Sequence, residues 1–367
     1  MAKFLQRGKT WQYTISRYTD GKYDPIRKGG FRTKGEAKIN ADIIEGEMAQ
    51  GISPILSKDI FADYFFEWVK DMKSTKEEVT YVRYLNTFQT IRELLGRTTL
   101  QAMTKRQYQR FLNDYGETRA YETIRKLNTH IRACVRDAVD DGRIRVDFTR
   151  GVEFNTKIVS KRPEERHLNY EESVALIAEL KDRLEKSLGY YLLLLAVVSG
   201  LRFGELCGLK RSDFDFKKNI IKVRQAWDYK KGTGFASLKN PQSKRNVAID
   251  KVTMDIFRDL FSKLPTNIYE TLFFNTQSSK GTLTNEATNK LLRNTLKKLE
   301  IQPISIHGLR HTHISVLLYK GVSIQFISER AGHKDIETTL KYYSHVLKEM
   351  RIEEEEKSVR IMTAMHA

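Results

Sequence analysis

Between residues 60 and 147 the chain has no proline, and its apolar residues return every three or four positions. Phe61, Tyr64, Phe65 and Val69 follow that period, as do Ile91, Leu94 and Leu95, and Leu127, Ile131, Cys134, Val135 and Ala138. Such spacing lays an apolar stripe along each helix, so the stretch predicts about four helices packed on one another. Two breaks bound it and read as linkers. One is 52–57, with Pro54; the other is 151–163, where Lys157, Lys161 and Arg162 precede Pro163, which stops a helix from crossing. The 367 residues therefore divide into units at 1–52, 57–150 and 164–367, a length that carries two or three domains at roughly 100–200 residues each.

In the first unit Trp11, Tyr13 and Ile15 alternate with Gln12, Thr14 and Ser16, the period of a half-buried strand. Asp20-Gly21 and Gly29-Gly30 are turn signals. Thr33, with Glu36 three residues on, has the form of a capping box and opens a helix expected to run to about Gln50, with Gly51 ending it. Residues 1–38 carry ten Lys and Arg against three acids. A strand surface bearing Arg7, Lys9, Arg17 and Lys22 suits a DNA groove, although a solvated basic hairpin has the same composition. The helical unit adds a basic face of Lys105, Arg106, Arg110, Arg125, Lys126 and Arg132, part of it ordinary surface.

The third unit predicts helices at 170–184 and 188–198, a β patch at 220–225 and 246–249, and helices at 253–263, 285–299, 307–319 and 324–330. A helical tail follows, with an acidic run at 353–356 and an apolar end that includes Ile361, Met362 and Met365. The whole chain is at +18, which points to a polyanionic partner, nucleic acid or an anionic membrane surface. Its longest apolar run, 190–198, is nine residues, and a bilayer needs about 20. The start, MAKFLQRGKTW, has no apolar stretch of a signal peptide. Cys134 and Cys207 are too few for a disulfide framework or a cysteine zinc site. The expectation is a soluble, intracellular, nucleic-acid-binding protein with no membrane partner.

Three clusters in the last half carry chemistry. In Ser199-Gly-Leu-Arg-Phe-Gly-Glu-Leu-Cys-Gly-Leu209, Arg202 stands at a turn that ends an apolar helix. Burying a guanidinium there is costly unless an anion pairs with it; Glu205 is one candidate and a phosphate is another. In His307-Gly-Leu-Arg-His-Thr-His313, residues His307, Arg310 and His311 share a helix face. His307 and His311 have zinc-ligand spacing, but the cation between them opposes a metal, and His313 is expected to be structural or solvent-facing. The third cluster runs from Ala331-Gly-His333 to Tyr342-Tyr343-Ser-His345; five of the eight histidines fall between 307 and 345.

Taken in order, the arginine, the His-x-x-Arg, the Gly-His and the tyrosine ten residues later resemble the signature of the tyrosine recombinases, the phage-integrase family, in its phage and conjugative-element branch. The resemblance covers nearly the whole chain. It implies a small β-sheet-plus-helix N-terminal domain that binds arm-type DNA, an all-α core-binding domain, and a mainly-α, mixed α+β catalytic domain. Arg202 and Arg310 are then the clamp on the scissile phosphate, and His307 and His333 its further partners. Glu205 supports the first arginine. Lys239 takes the place of the β-hairpin lysine, with Lys244 its competitor. Tyr343 is the nucleophile, with Tyr342 the alternative.

The resemblance further implies a homotetramer acting on double-stranded DNA at core and arm attachment sites. Its C-terminal tail would dock on a neighbouring subunit. An excisionase and a host DNA-bending protein would be partners, in a bacterial cytoplasm at the nucleoid. Neither a metal nor another cofactor is expected, because fixed guanidiniums can stabilise the charge of a pentacoordinate phosphorus. A type IB topoisomerase-like enzyme and a catalytically silent DNA-binding protein are the competing classes. The arm-binding unit argues against the first and the intact set of motifs against the second.

Overall fold

Alternating polarity and two glycines shape the N-terminal sheet. The computed structural model describes residues 2–19, 22–49, 58–159, 163–238, 241–333, 335–337, 339–340 and 351–365, and divides into two compact units at residue 160. In the first unit, β1 (Lys3–Arg7), β2 (Thr10–Ile15) and β5 (Ile26–Phe31) form an antiparallel sheet in the order β1-β2-β5. The short pair β3 (Tyr18–Thr19) and β4 (Lys22–Tyr23) stands between β2 and β5 in sequence. Tyr13, Ile15 and Ile26 bury against Ala37 and Ala41 of α1 (Lys34–Ala49), as the alternation in β2 predicts. The Thr33 hydroxyl accepts from the Glu36 N–H, while the Glu36 carboxylate accepts from the Arg32 N–H, so the expected box closes one residue early. Gly29-Gly30 is not a turn. It lies inside β5 at a bulge, where the register jumps from Trp11–Phe31 to Gln12–Gly29 and Gly30 takes φ +92°. Gln50, Gly51, Asp20-Gly21 and the expected linker at 52–57 lie outside the described residues.

The helical part of this unit holds α2 (Phe61–Lys73), α3 (Glu78–Leu95), α4 (Lys105–Gly116) and α5 (Tyr121–Asp140). The predicted stripes meet in one core, with Phe61, Phe65, Val69, Ile91, Leu112, Ile131 and Val135 fully buried. A Thr104–Gln107 capping box starts α4. The segment after Gly151 is only partly a linker, because its polar groups are taken up by α4 and the turn after it. Gln109 bonds the backbone of Glu153 in both directions, Asn155 donates to Asn113, and the Thr156 hydroxyl donates to the Arg119 carbonyl.

The second unit is organised by α7 (Leu188–Ser199), apolar on every side and buried along nearly its whole length. A helix of that kind needs neighbours all round, and α6 (Tyr170–Lys181), α10 (Asn285–Lys298) and α11 (Ile306–Tyr319) supply them. The short α8 (Phe203–Cys207) follows α7 directly. Next come β6 (Phe214–Asp215), β7 (Ile220–Val223), the pair β8 (Ala226–Trp227) and β9 (Phe235–Ala236), and β10 (Arg245–Ala248). The sheet order is β10-β7-β6, so the two predicted strands pair with each other. The remaining described helices are α9 (Lys251–Lys263), α12 (Ile324–Ala331) and α13 (Arg351–Met365), the last with Ile361, Met362 and Met365 exposed. Among the described residues no helix is long and apolar enough to cross a membrane.

Candidate active site

The end of α7, the start of α8, the interior face of α11 and the end of α12 meet at one place. Gly200 ends α7 with φ +66°, and a Cβ there would lie 2.6 Å from the His313 ring. The turn that follows makes Arg202 the residue before the first turn of α8. Its Nη1 donates to Glu205 Oε1 at 2.7 Å, and Glu205 Oε2 accepts from the Arg202 N–H at 2.9 Å. Of the two anions open to Arg202 from sequence, the chain supplies the first itself.

Arg310 is 3% exposed. It lies on α11 and reaches across, donating from Nη1 to the Gly200 carbonyl at 2.8 Å and from Nη2 to the Ala331 carbonyl at 2.6 Å. Ala331 ends α12, and Gly332, with φ +64°, turns the chain sharply. Arg202 Nη2 donates to the Gly332 carbonyl at 2.8 Å, and Arg245 Nε donates to the Arg330 carbonyl at 2.6 Å. Three consecutive carbonyls, those of residues 330, 331 and 332, are thus each met by a different arginine. The last carbonyls of a helix lack intrahelical donors and carry the negative end of its dipole. Here they offset part of the cost of burying Arg310 and Arg245 and hold the partly exposed Arg202 in place.

Arg245 is the residue that the motifs do not single out. Its side chain is 7% exposed and meets Glu205 through both nitrogens, Nη1 at 3.2 Å and Nη2 at 3.0 Å. The signal for it is present in the sequence. Arg245, Val247 and Ile249 alternate with the exposed Asn246 and Ala248, so a cation occupies an inward strand position. Lys244, next to it, is exposed. Lys239, Tyr342, Tyr343 and His345 lie outside the described residues.

The histidines separate by role. His333 Nδ1 lies 2.7 Å from the hydroxyl of the buried Thr339, which orients the ring. His307 and His311 stand one turn apart with their rings edge to face, centroids 4.9 Å apart. His313 is held by protein on both sides, Nδ1 at 3.0 Å from the Val197 carbonyl and Nε2 accepting from Arg330 Nε at 3.0 Å; it is structural. Burial raises the Glu205 carboxyl, but Arg245 and Arg202 outweigh it and hold the group below the usual range. Desolvation and the cations Arg310 and Arg202 lower His307, and the same causes push His333 down to about 4. Desolvation takes His311 to about 4 and His313 to about 3, with Arg310 and Arg330 adding to the respective shifts. All four imidazoles are therefore neutral at pH 7.

The expected DNA-binding cations are scattered. Arg7 and Lys9 are exposed at the β1–β2 turn and Lys22 is exposed on β4. Arg17 instead bonds the carbonyl and carboxylate of Asp24, so it braces its own hairpin. The sheet places other residues on its open face. Thr14 pairs with Lys3 and Arg27, and Gln12 with Leu5 and Gly29. With Tyr13 and Ile15 turned to the core, that row faces the opposite way. Lys105, Arg106, Arg110 and Lys126 are exposed; Arg125 pairs with Glu122, and Arg132 Nε lies 4.0 Å from Asp147.

Known proteins resemble the chain in each of its parts. The description Phage integrase family matches residues 166–350, Arm DNA-binding domain matches 2–48, and Phage integrase, N-terminal SAM-like domain matches 60–115. The chain is 24% identical to a "Tyrosine recombinase XerC-like" protein of Caldanaerobacter subterraneus, covering 94% of both chains. It is also 24% identical to "Prophage ps2 probable integrase" of Lactococcus lactis, covering 95% of this chain and 96% of that one. Among solved structures, the Tn1549 transposon integrase in complex with transposon right end DNA superposes with a TM-score of 0.66 at 17% identity, over 80% of this chain and 98% of that one. A lambda integrase dimer bound to a COC' core site gives 0.59 at 18%, over 90% and 91%. Those identities show a shared fold. The chain belongs to the phage integrase family. It is a tyrosine-type site-specific DNA recombinase, with the small N-terminal β-sheet domain and the helical domains of that fold.

Proposed function

We propose that this recombinase integrates and excises a mobile element through a 3′-phosphotyrosine intermediate, with no metal and no ATP. The observation that carries the reading is the pair of arginines, Arg202 and Arg310, held on adjacent carbonyls beside His333. Guanidiniums fixed before substrate arrives need no reorganisation as charge builds on phosphorus. In the proposed step Tyr343 Oη bonds to the scissile phosphorus as the bond to O5′ breaks. His307, neutral at pH 7, accepts the phenolic proton, and Lys239 delivers one to O5′. His333 Nε2 hydrogen-bonds the phosphate. A 5′-hydroxyl then displaces the tyrosine, so the strand is resealed without an energy source.

The three units at 1–52, 57–150 and 164–367 divide the work into arm-site binding, core-site binding and catalysis. The open face of the N-terminal sheet, with Lys3, Arg7 and Arg27, takes the arm DNA. The active assembly is a homotetramer joined through the tail after Tyr343, and an excisionase and a host DNA-bending protein set the direction.

The test is incubation with attachment-site DNA in EDTA, followed by a denaturing gel and mass spectrometry of the linked peptide. The expected result is a protease-sensitive adduct on Tyr343 that Tyr343→Phe abolishes. An adduct that survives in Tyr343→Phe, or an absolute need for Mg²⁺, overturns the mechanism.

A further inference from the structure

We infer that Arg245 is a positioning residue for strand cleavage, one that keeps the Arg202 guanidinium available to the phosphate. The inference rests on the reading of Arg202 as a phosphate clamp and adds a residue to it. Glu205 is 2% exposed and has two cationic neighbours. Arg245 meets both of its oxygens, at 3.2 and 3.0 Å, whereas the Arg202 side chain meets Oε1 alone through Nη1. Arg245 therefore supplies most of the charge compensation that a buried carboxylate needs. The Arg202 side chain, 31% exposed, is left with one bond to the carboxylate and one to the Gly332 carbonyl.

Arg245 also ties together parts of the chain that must keep register. Nε holds the Arg330 carbonyl and Nη1 the Ser243 carbonyl at 2.9 Å, so β10, the end of α12 and the start of α8 meet on one guanidinium. The fit is close: a Cβ on Gly332 would lie 3.0 Å from Arg245 Nη1. Without Arg245, Glu205 has one cation left and draws Arg202 into a two-oxygen pair, turned from substrate. The end of α12 that presents His333 loses its brace in the same change. Lysine at this position keeps the charge but lacks the planar fork that reaches four acceptors.

The experiment compares wild type, Arg245→Met and Arg245→Lys in the full chain. Single-turnover cleavage is measured from pre-bound complexes on a nicked attachment-site duplex, with either a normal or a methylphosphonate linkage at the scissile position. Removing the phosphate's charge removes the need for a well-placed guanidinium. On normal DNA, Arg245→Met is expected to cleave at least 100-fold slower (~10²), the low end of the range for removing one charge-stabilising donor, and Arg245→Lys, which keeps the charge without the fork, about 10-fold slower. On methylphosphonate DNA the deficit of either variant should shrink to within about three-fold (~0.6 kcal/mol). A variant that is merely less well folded loses the same factor on both substrates, and that result overturns the inference. Arg245→Lys, which keeps the buried charge balance, carries the test if Arg245→Met does not fold. A wild-type chain that forms no adduct removes the proposed function and this inference with it. A wild-type chain that cleaves while both variants match it on normal DNA removes the inference alone.

Discussion

Lys105 and Arg106 on α4 and Arg310 on α11 all carry a positive charge, yet their settings are opposite. The α4 cations are exposed in the first turn of a helix. Arg310 is buried, with carbonyl acceptors at 2.8 and 2.6 Å. An exposed cation meets a phosphate by charge alone, releases a counterion and is screened by salt. A buried and hydrogen-bonded guanidinium has a fixed direction and stabilises charge only where charge develops. On the proposed reading, one chain holds cations that serve affinity and cations that serve rate.

The sharpest way to break this contrast is Arg310→Ala. Cleavage in a pre-bound complex should fall about 10²–10³-fold, while duplex affinity in a gel shift stays within a few-fold. An equal loss of both would make Arg310 structural.

Acid should act on the buried groups next. His313, His333 and His311 sit well below the ordinary histidine value in the folded chain. Below pH 6.5 the unfolded state takes up protons that the native state refuses. Stability is therefore full above pH 6.5 and falls as the pH drops towards 4, at up to about 1.4 kcal/mol per pH unit for each proton. Urea melts at pH 7 and 5 measure this, and His313→Gln should flatten the slope; a flat wild-type profile contradicts the neutral His313 assignment.

The smallest effect belongs to the surface. Lys105→Ala with Arg106→Ala should lower the slope of log affinity against log salt by about 0.9 for each phosphate no longer neutralised, with cleavage of bound DNA unchanged. A change in that cleavage rate would erase the distinction between the two sets of cations.

Much of this was legible in residue order. The helical stripes of 60–147, the all-apolar α7 and the turn that ends it before Arg202 depend on local backbone physics and on spacing along a helix. So does the alternation that buries Tyr13 and Ile15. The features that were not legible depend on register and on long-range partners. Gly29-Gly30 has the composition of a turn, and only pairing with Trp11 and Gln12 makes it a bulge. Arg17 has the composition of a groove contact until Asp24 takes it. The segment after Gly151 looks like a linker until Gln109 and Asn113 bind it.

By itself, then, the sequence determined the kinds of elements, the order of the arginine, histidine and tyrosine motifs, and the positive balance that calls for a polyanionic partner. Those follow from side-chain chemistry and from periods of two and of three to four residues. The tertiary structure alone decided that Arg245, Arg310 and Arg202 fall on three successive carbonyls, and that one buried carboxylate joins the first and last of them. Arg202 and Gly332 are 130 positions apart and Arg245 and Arg330 are 85 apart, and the partners of a buried charge are set by where the elements pack.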